Sequence, residues 1–237
     1  MSASSSSTGG GTVDLDGACR ALDRGAAVVL PNPAPLTCVV AATAAPVVNE
    51  AKGRPRDQPV ALWAHSPDAV DTLAPFLGLG EPDGVLLRRL LSEELLTVLV
   101  PLAPEARRPE WLRPASKDGW ALLFGARWRP LAPLLDRFPL LYVSSANRTG
   151  QPPAADVEAA VAMFPATTAV LGEPLPPRTG GAPRAATTTV RLHRGGRLEL
   201  HRHGAQDRTH PDAAAYLTHL GSVAEGRPGL GRGETYG

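Results

Sequence analysis

The sequence predicts an α/β or α+β fold, in which a mixed sheet is covered by helices. Hydrophobic residues make up 43% of the 237-residue chain, which is enough for one domain with a substantial core. Apolar runs of strand length alternate with segments of helical periodicity. The connections vary in length and no internal repeat is visible, so a regular doubly wound sheet is not predicted.

The first half of the domain begins with a helix. Asp14 precedes an apolar face formed by Leu15, Ala18 and Leu22, and Gly25 follows where a helix would end. The apolar runs 26–30, 37–42 and 60–64 predict the first three strands, separated by PNPAP and by a basic, proline-rich segment. Helical periodicity then predicts helices at 67–77 and 85–92.

The second half continues with short strands. Strands are predicted at 96–101, 120–125 and 140–143, with a helix at 130–137 before the last of these. Asp156 is a suitable N-cap for a helix that ends near Phe164. The last third predicts strands at 169–171, 187–192 and 197–202.

Composition sets the domain boundaries and excludes several classes of protein. Residues 1–12 predict a disordered Ser/Gly tail, 13–210 the folded domain, and 211–237 a partly flexible C-terminal extension. The 24 basic and 23 acidic residues nearly cancel, which argues against a protein that binds nucleic acid mainly through phosphates. The chain contains only two cysteines, too few for a disulfide framework or for a zinc site made of thiolates. No secretory or membrane-length apolar run occurs, so a cytoplasmic location is predicted.

The segment AKGRPRDQP, which we call the elbow, predicts a phosphate site. Gly53 permits a close approach of the backbone to a ligand, and Pro55 stiffens the turn. Lys52 and Arg54 supply charge-assisted donors that suit phosphate oxygens. The alternative is a solvated loop that carries its arginines at the surface.

A second polar segment, SSANRTGQPP, follows the predicted strand 140–143. It places Ser144, Ser145 and Asn147 in a turn, where hydroxyls and an amide can hydrogen-bond a ribose, a phosphate or a purine edge. Taken alone, the same residues are equally suited to a capping turn.

Taken together, KGRPRDQPVAL and SSANRTGQPPA resemble the YrdC-like family, whose best-known members are L-threonylcarbamoyladenylate synthases. The resemblance extends from about Asp14 to Gly204. It implies an open, twisted mixed sheet around a concave groove that holds ATP or an AMP-adenylate, together with Mg²⁺. It also implies formation of a carbamoyl-type adenylate from ATP, bicarbonate and an amino acid. No classical acid/base pair is required, and no catalytic residue is assigned.

Family motifs map onto two groups of residues in this chain. The resemblance implies nucleotide contacts by Lys52, Arg54, Ser144, Ser145, Asn147, Thr188 and Arg202. It implies a substrate pocket that contains Asn32, Leu36, Trp63, His65 and Thr97.

The substrate group departs from the family pattern. The family's P-T-D-T-V-Y-G segment is PNPAPLT here, so Asn32 and Leu36 replace a threonine and a tyrosine. The family's strand arginine, which helps to hold the substrate carboxylate, is missing near Gly125, where Arg127 follows two residues later. The residues that match the family's nucleotide-binding motifs are retained, whereas those at the positions of its threonine-binding motifs are different. This contrast predicts an acceptor other than threonine.

Three functions are therefore open. The first is an enzyme that makes or uses a carbamoyl-adenylate with a different small-molecule acceptor, and the second is the parent synthase. The third is a noncatalytic protein that retains the groove and binds a nucleotide or RNA. The resemblance implies double-stranded RNA as a ligand, since some members of the family bind it, and the C-terminal third of this chain is locally basic. The residues concerned are Arg191, Arg194, Arg197, Arg202 and Arg208. His201, His203 and His210 fit no standard metal-ligand spacing, so a surface strand is the preferred interpretation and no metal ligand is assigned.

Overall fold

The computed structural model describes residues 11–172 and 183–224, and within them the chain forms seven α-helices and ten strands. The predicted Ser/Gly tail lies outside the described residues except for Gly11 and Thr12. The helices are α1 (Leu15–Asp23), α2 (Ala45–Ala51), α3 (Pro67–Leu73), α4 (Glu81–Ser92), α5 (Ala132–Arg137), α6 (Val157–Met163) and α7 (Ala213–Ala224). The strands are β1 (Val28–Leu30), β2 (Val39–Ala42), β3 (Ala61–Trp63), β4 (Thr97–Pro101), β5 (Ser116–Lys117), β6 (Trp120–Phe124), β7 (Tyr142–Ser145), β8 (Ala169–Val170), β9 (Thr189–Leu192) and β10 (Leu198–Arg202).

The strands form one mixed sheet, as the sequence predicted. Nine of them lie in the order β10-β9-β4-β6-β3-β7-β2-β1-β8, and β5 pairs with β6 beside this path. The β1/β8, β3/β6 and β4/β9 pairs are parallel, and the others are antiparallel. The strands of the C-terminal third lie at the two ends of the sheet, with β9 and β10 beyond β4 at one end and β8 beside β1 at the other.

Side-chain alternation along the strands divides the core between the two faces of the sheet. In β3, Leu62 belongs to one apolar cluster, while Ala61 and Trp63 belong to the other. All three are buried, because β3 lies between β6 and β7 at the centre of the sheet. Polar side chains cap several of the covering helices, and Asp14 accepts a hydrogen bond from the Gly17 amide at 2.7 Å.

Three helical segments differ in their bounds from the sequence prediction. The helix predicted at 67–77 ends at Leu73 and continues as a 3-10 turn, Ala74–Phe76, because Pro75 has no amide hydrogen to donate. The helix predicted to begin at residue 85 begins one turn earlier, with Pro82 in its first turn. The predicted helix 130–137 is divided into the 3-10 turn Arg129–Leu131 and α5.

Helices α2 and α7 were not predicted as elements. Helix α7 lies in the segment that the sequence analysis assigned to the C-terminal extension, and Tyr216 and Leu220 are fully buried in the core. The helix packs against α4 and β10. None of the helices in the described ranges is both long and apolar enough to cross a membrane.

Candidate functional site

The elbow starts where α2 ends, in a Schellman motif. The Arg54 amide donates to the Asn49 carbonyl at 3.0 Å, and the Gly53 amide donates to the Glu50 carbonyl at 2.9 Å. Gly53 has a positive φ of 66°, which side-chain-bearing residues rarely adopt. The Lys-Gly-Arg order is therefore the signal that ends the helix and turns the chain toward the sheet.

Asn49, which the sequence analysis missed, holds the elbow in shape. Its side chain is fully buried, and its Nδ2 donates to the carbonyls of Arg56 at 2.9 Å and Gln58 at 2.7 Å. Its Oδ1 accepts from Arg54 Nε at 2.5 Å. A buried amide with all these partners fixes both the loop backbone and the direction of the Arg54 guanidinium.

Lys52 joins the elbow to the SSAN segment. Its ammonium donates to the Ser145 carbonyl and, at 2.6 Å, to Asn147 Oδ1. Only 3% of the residue is exposed, and burial, reinforced by the charges of Arg54 and Arg202, lowers its pKa from 10.5 to about 7. The three cations are thus close enough to repel one another.

Further hydrogen bonds hold the SSAN segment at the end of β7. Asn147 Nδ2 donates to the Gln151 carbonyl at 3.0 Å, and Asn147 Oδ1 accepts from Ser145 Oγ at 2.7 Å. The Thr149 amide donates to the Lys52 carbonyl at 3.0 Å. The two motifs that were separate in the sequence therefore form one connected unit.

A cavity of about 160 Å³, which we call the groove cavity, opens beside this unit. Five adjacent strands of the sheet, β4, β6, β3, β7 and β2, contribute to its lining, with apolar side chains from β2, β3 and β6 and polar ones from β4 and the end of β7. Its lining includes seven of the predicted site residues, namely Arg54, Ser144, Ser145, Arg202, Asn32, Leu36 and Thr97, of which Leu36 alone is apolar. The structure therefore brings together these seven residues from the predicted nucleotide and substrate groups. Lys52 and Asn147 do not line the cavity but form hydrogen bonds with Ser145.

The rewritten segment 31–37 forms one wall of the groove cavity. Asn32 is buried, and its Nδ2 donates to the Thr37 carbonyl at 2.9 Å, whereas its Oδ1 has no partner in the described chain. Arg184, another residue missed from the sequence, donates to the carbonyls of Asn32 at 3.1 Å and Leu36 at 2.6 Å. Arg184 thus stabilises this wall from a distant part of the sequence.

The threonines before β9 have different positions. Thr187 lines the groove cavity, and its Oγ1 lies 2.5 Å from Thr97 Oγ1. Thr188 does not line the cavity, because its hydroxyl donates to Asp207 Oδ1 at 2.6 Å and accepts from the Gln206 amide at 3.1 Å. Gly204 lies against this network, and a Cβ there would be 2.2 Å from the Thr188 amide nitrogen.

Trp63 and His65 are not part of the groove cavity. They line a separate cavity toward the carboxyl end of β3, and Trp63 Nε1 donates to the Ala126 carbonyl at 2.7 Å. Arg127 also lies outside the groove cavity, and burial lowers its pKa. No side chain of that segment supplies the strand arginine of the family pattern.

The groove cavity is positively charged. Arg54 and Arg202 line it, and no carboxylate does so among the described residues. Arg54 Nη2 is buried without a hydrogen-bond partner in the described chain, and burial lowers the pKa of the guanidinium. Two guanidinium groups and adjacent serine hydroxyls, without a counter-charge, favour an anionic ligand.

Most of the other arginines in the C-terminal third contact neighbouring groups. Arg191 lies 3.2 Å from Glu199 and stacks over Trp120, and Arg197 lies 3.6 Å from Glu199. Arg194 donates to the Gly78 carbonyl at 3.0 Å. No group of three potential metal ligands occurs in the residues that the structure describes.

Comparisons with known proteins identify the fold. No family model and no curated protein matches the sequence. Among solved structures, Sua5 of P. abyssi, crystallised with L-threonine, has a TM-score of 0.55 and 17% identity, covering 75% of this chain and 50% of Sua5. YciO of E. coli has a TM-score of 0.58 and 12% identity, covering 81% of this chain and 90% of YciO.

A third similar structure is full-length HypF in its phosphate- and nucleotide-bound form. Its TM-score is 0.57 and its identity 16%, covering 82% of this chain and 29% of HypF. The matched region thus spans about half of Sua5 and under a third of HypF. The predicted resemblance is confirmed at the level of the fold: the chain has the mixed-sheet fold of Sua5, YciO and a part of HypF.

Proposed function

We propose that the protein binds an adenine nucleotide, either ATP or an acyl-adenylate, and makes or uses a carbamoyl-adenylate with an acceptor other than threonine. The observation that carries this proposal is the groove cavity, where Arg54 and Arg202 meet Ser144 and Ser145 without a carboxylate among the described lining residues. A guanidinium presents a planar fork of donors that matches phosphate oxygens, and serine hydroxyls complete such a site.

The phosphate end of the ligand is assigned to the elbow side of the cavity. Arg54 is aligned by Asn49 and has an unused Nη2, so a phosphate oxygen would supply its missing acceptor. Lys52 donates hydrogen bonds to the Ser145 carbonyl and to Asn147, and its positive charge adds to the positive electrostatic potential at the cavity. The fold is similar to a part of HypF, which was solved in a phosphate- and nucleotide-bound form, and this likeness supports a nucleotide as the class of ligand.

The acceptor end is assigned to the wall formed by 31–37. Sua5 was crystallised with L-threonine, but the side chain of Leu36 offers no hydrogen bond to a hydroxyl. Pro33 and Pro35 supply no amide donors, and the described lining contains no carboxylate for a free ammonium. These features support an acceptor other than threonine.

The chemistry requires positioning and charge neutralisation more than proton transfer. In adenylate formation, a carbamate oxygen bonds to the α-phosphorus of ATP while the bond to pyrophosphate breaks. Arg54 and Arg202 would neutralise charge on the phosphates, and the hydroxyl of Ser144 would orient them, since that of Ser145 already donates to Asn147. No carboxylate lines the cavity among the described residues, so these residues do not fit a Mg²⁺ site of their own.

The first test compares two arginines of the elbow. Arg54→Ala should weaken ATP binding by about 10- to 100-fold, because it removes a charge-assisted contact worth about 1.5 to 3 kcal/mol. Arg56→Ala is the matched control, since the Arg56 side chain is 73% exposed and does not line the cavity. Calorimetry that finds equal affinities in both variants contradicts the nucleotide site.

The second test addresses the reaction. Pyrophosphate release should be measured with ATP, bicarbonate and a panel of amino acids, and the adenylate sought by mass spectrometry. Efficient turnover of threonine would identify the parent synthase instead. Tight ATP binding without turnover of any acceptor, or of a supplied carbamoyl-adenylate, would identify a noncatalytic binding protein.

A further inference from the structure

The cavity that contains Trp63 and His65 has no part in the proposed reaction. Its volume is about 440 Å³, within the range of roughly 300 to 1,000 Å³ typical of small-molecule sites. It shares no lining residue with the groove cavity among the described residues. The half-buried side chains of Trp111 and Leu140 provide apolar surface, whereas Trp63 and Leu73 are each only 1% exposed and pack behind it.

His65 is a buried polar group in this lining. Only 7% of it is exposed, and its Nε2 has no hydrogen-bond partner in the described chain. Burial lowers its pKa more than the backbone hydrogen bonds to Phe138 and Pro139 raise it, so the imidazole is neutral near pH 7. With one ring nitrogen bonded to the backbone, the other is an acceptor that lacks a donor.

The charged groups that line this cavity are carboxylates. Asp68 and Asp136 line it, and neither forms an ion pair with a described residue. Of the two hydroxyls of the lining, Thr72 donates its hydrogen to the Asp68 carbonyl, whereas Ser66 accepts from the Ala69 amide and keeps its own hydrogen. The cavity therefore offers negative charge and an acceptor, but few free donors.

Arg127 is a cation near His65. Its charge lowers the pKa of the imidazole, but Arg127 is not among the residues that line the cavity. A ligand that enters the cavity thus meets the carboxylates and the imidazole beside an aromatic surface.

We propose that this second cavity binds a small primary amine with an apolar or aromatic body. The body packs on Trp111 and Leu140, and the ammonium lies toward Asp136 and Asp68, within reach of the imidazole of His65. An ammonium carries the donors and the positive charge that these groups lack, and its attraction to the indole of Trp111 adds to the binding. The site extends beyond the proposed function, since it needs neither nucleotide nor carbamoyl group.

The probe for this site is phenethylamine, titrated into the full chain while tryptophan fluorescence is recorded. Saturable binding is expected, and 3-phenylpropionate, which carries the opposite charge on a similar body, should bind at least about tenfold more weakly. Absence of saturable phenethylamine binding overturns the proposal. Equal binding of the two probes also overturns it.

Variants then locate the bound amine. The double variant Asp68→Asn, Asp136→Asn should lose at least about tenfold in affinity, and both positions are exposed, so folding should be retained. Asp71→Asn is the matched control on the same helix as Asp68, because Asp71 pairs with Arg88 at 2.5 Å and does not line the cavity. The control should bind phenethylamine as wild type does, and an equal loss in both proteins would overturn the assignment.

Discussion

Lys52 should take up a proton when a nucleotide binds. With a pKa of about 7, it is only partly protonated in the free protein at pH 7.5. Arg54 and Arg202 lower this pKa by repulsion, so a phosphate placed between these groups raises it. Binding is then favoured by the protonated form, and affinity falls as pH rises above 7.

The size of the effect follows from the protonated fraction. A lysine with a pKa near 7 is about a quarter protonated at pH 7.5 and about one per cent protonated at pH 9, so ATP affinity should fall by up to roughly twentyfold over this interval. The interval lies above the range near pH 6 in which a terminal phosphate itself titrates. Calorimetry in buffers of different ionisation enthalpy should also record net proton uptake near pH 8.

Lys52→Met should abolish this pH dependence. The matched control is Lys117→Met, which changes the chain's other lysine, an exposed residue of β5. If affinity in the wild type is constant from pH 7.5 to 9, or if it declines equally in Lys52→Met, the reasoning is wrong. Should Lys52→Met fail to fold, nuclear magnetic resonance of the two lysine side chains of the wild type provides the same test, since the Lys52 signal should titrate near pH 7.

The same titration should affect stability. Below pH 7 the folded and unfolded chains both keep the proton on Lys52, so this group makes no pH-dependent contribution. Between about 7 and the ordinary value of 10.5 the unfolded chain keeps it while the folded chain releases it. The free energy of unfolding of the wild type should therefore rise with pH, relative to Lys52→Met, by at most about 1.4 kcal/mol per pH unit.

Three further predictions concern other parts of the site. Asn49→Ala should lower the free energy of unfolding by about 1 to 3 kcal/mol, measured by urea denaturation, because it removes a fully buried amide with its hydrogen bonds to the Arg56 and Gln58 carbonyls; an unchanged midpoint would show that the elbow keeps its shape without this amide. Thr188→Val should lower stability by a similar amount while ATP affinity stays at the wild-type value, and a selective loss of affinity would place Thr188 in the nucleotide site after all. Threonine should be a poor acceptor, and Asn32→Thr with Leu36→Tyr should restore little pyrophosphate release, since the strand arginine would still be missing; rapid turnover of threonine by the wild type would refute this.

The contact between the elbow and the SSAN segment was predictable from sequence because its signals are local. Lys-Gly-Arg ends a helix in a fixed geometry, so the position of Arg54 depends on few distant contacts. The partner of this loop, at Ser145 and Asn147, was found because serine and asparagine are the residues that such turns require. The mixed sheet was predictable for a similar reason, since short apolar runs define its strands.

The rest of the site depends on tertiary arrangement. Three threonines in succession do not reveal which one faces a cavity, and the structure selects Thr187 because Asp207 binds the hydroxyl of Thr188. His65 was grouped with the substrate residues through the family resemblance, yet a sequence motif does not say where a cavity ends. Arg184 has no local signal at all, since its two acceptors, the carbonyls of Asn32 and Leu36, lie in the distant segment between β1 and β2.

The pairing of β9 with β4 has a consequence for synthesis of the chain. The elbow and the SSAN segment are synthesised before two other residues of the cavity lining. These are Thr187, which precedes β9, and Arg202, which ends β10. A ligand stabilises only the state that binds it, so a nascent chain gains little from a ligand of the groove cavity until Arg202 has been synthesised. Until then β4 lacks its β9 neighbour, and an unpaired strand edge of this kind is a site at which chains associate.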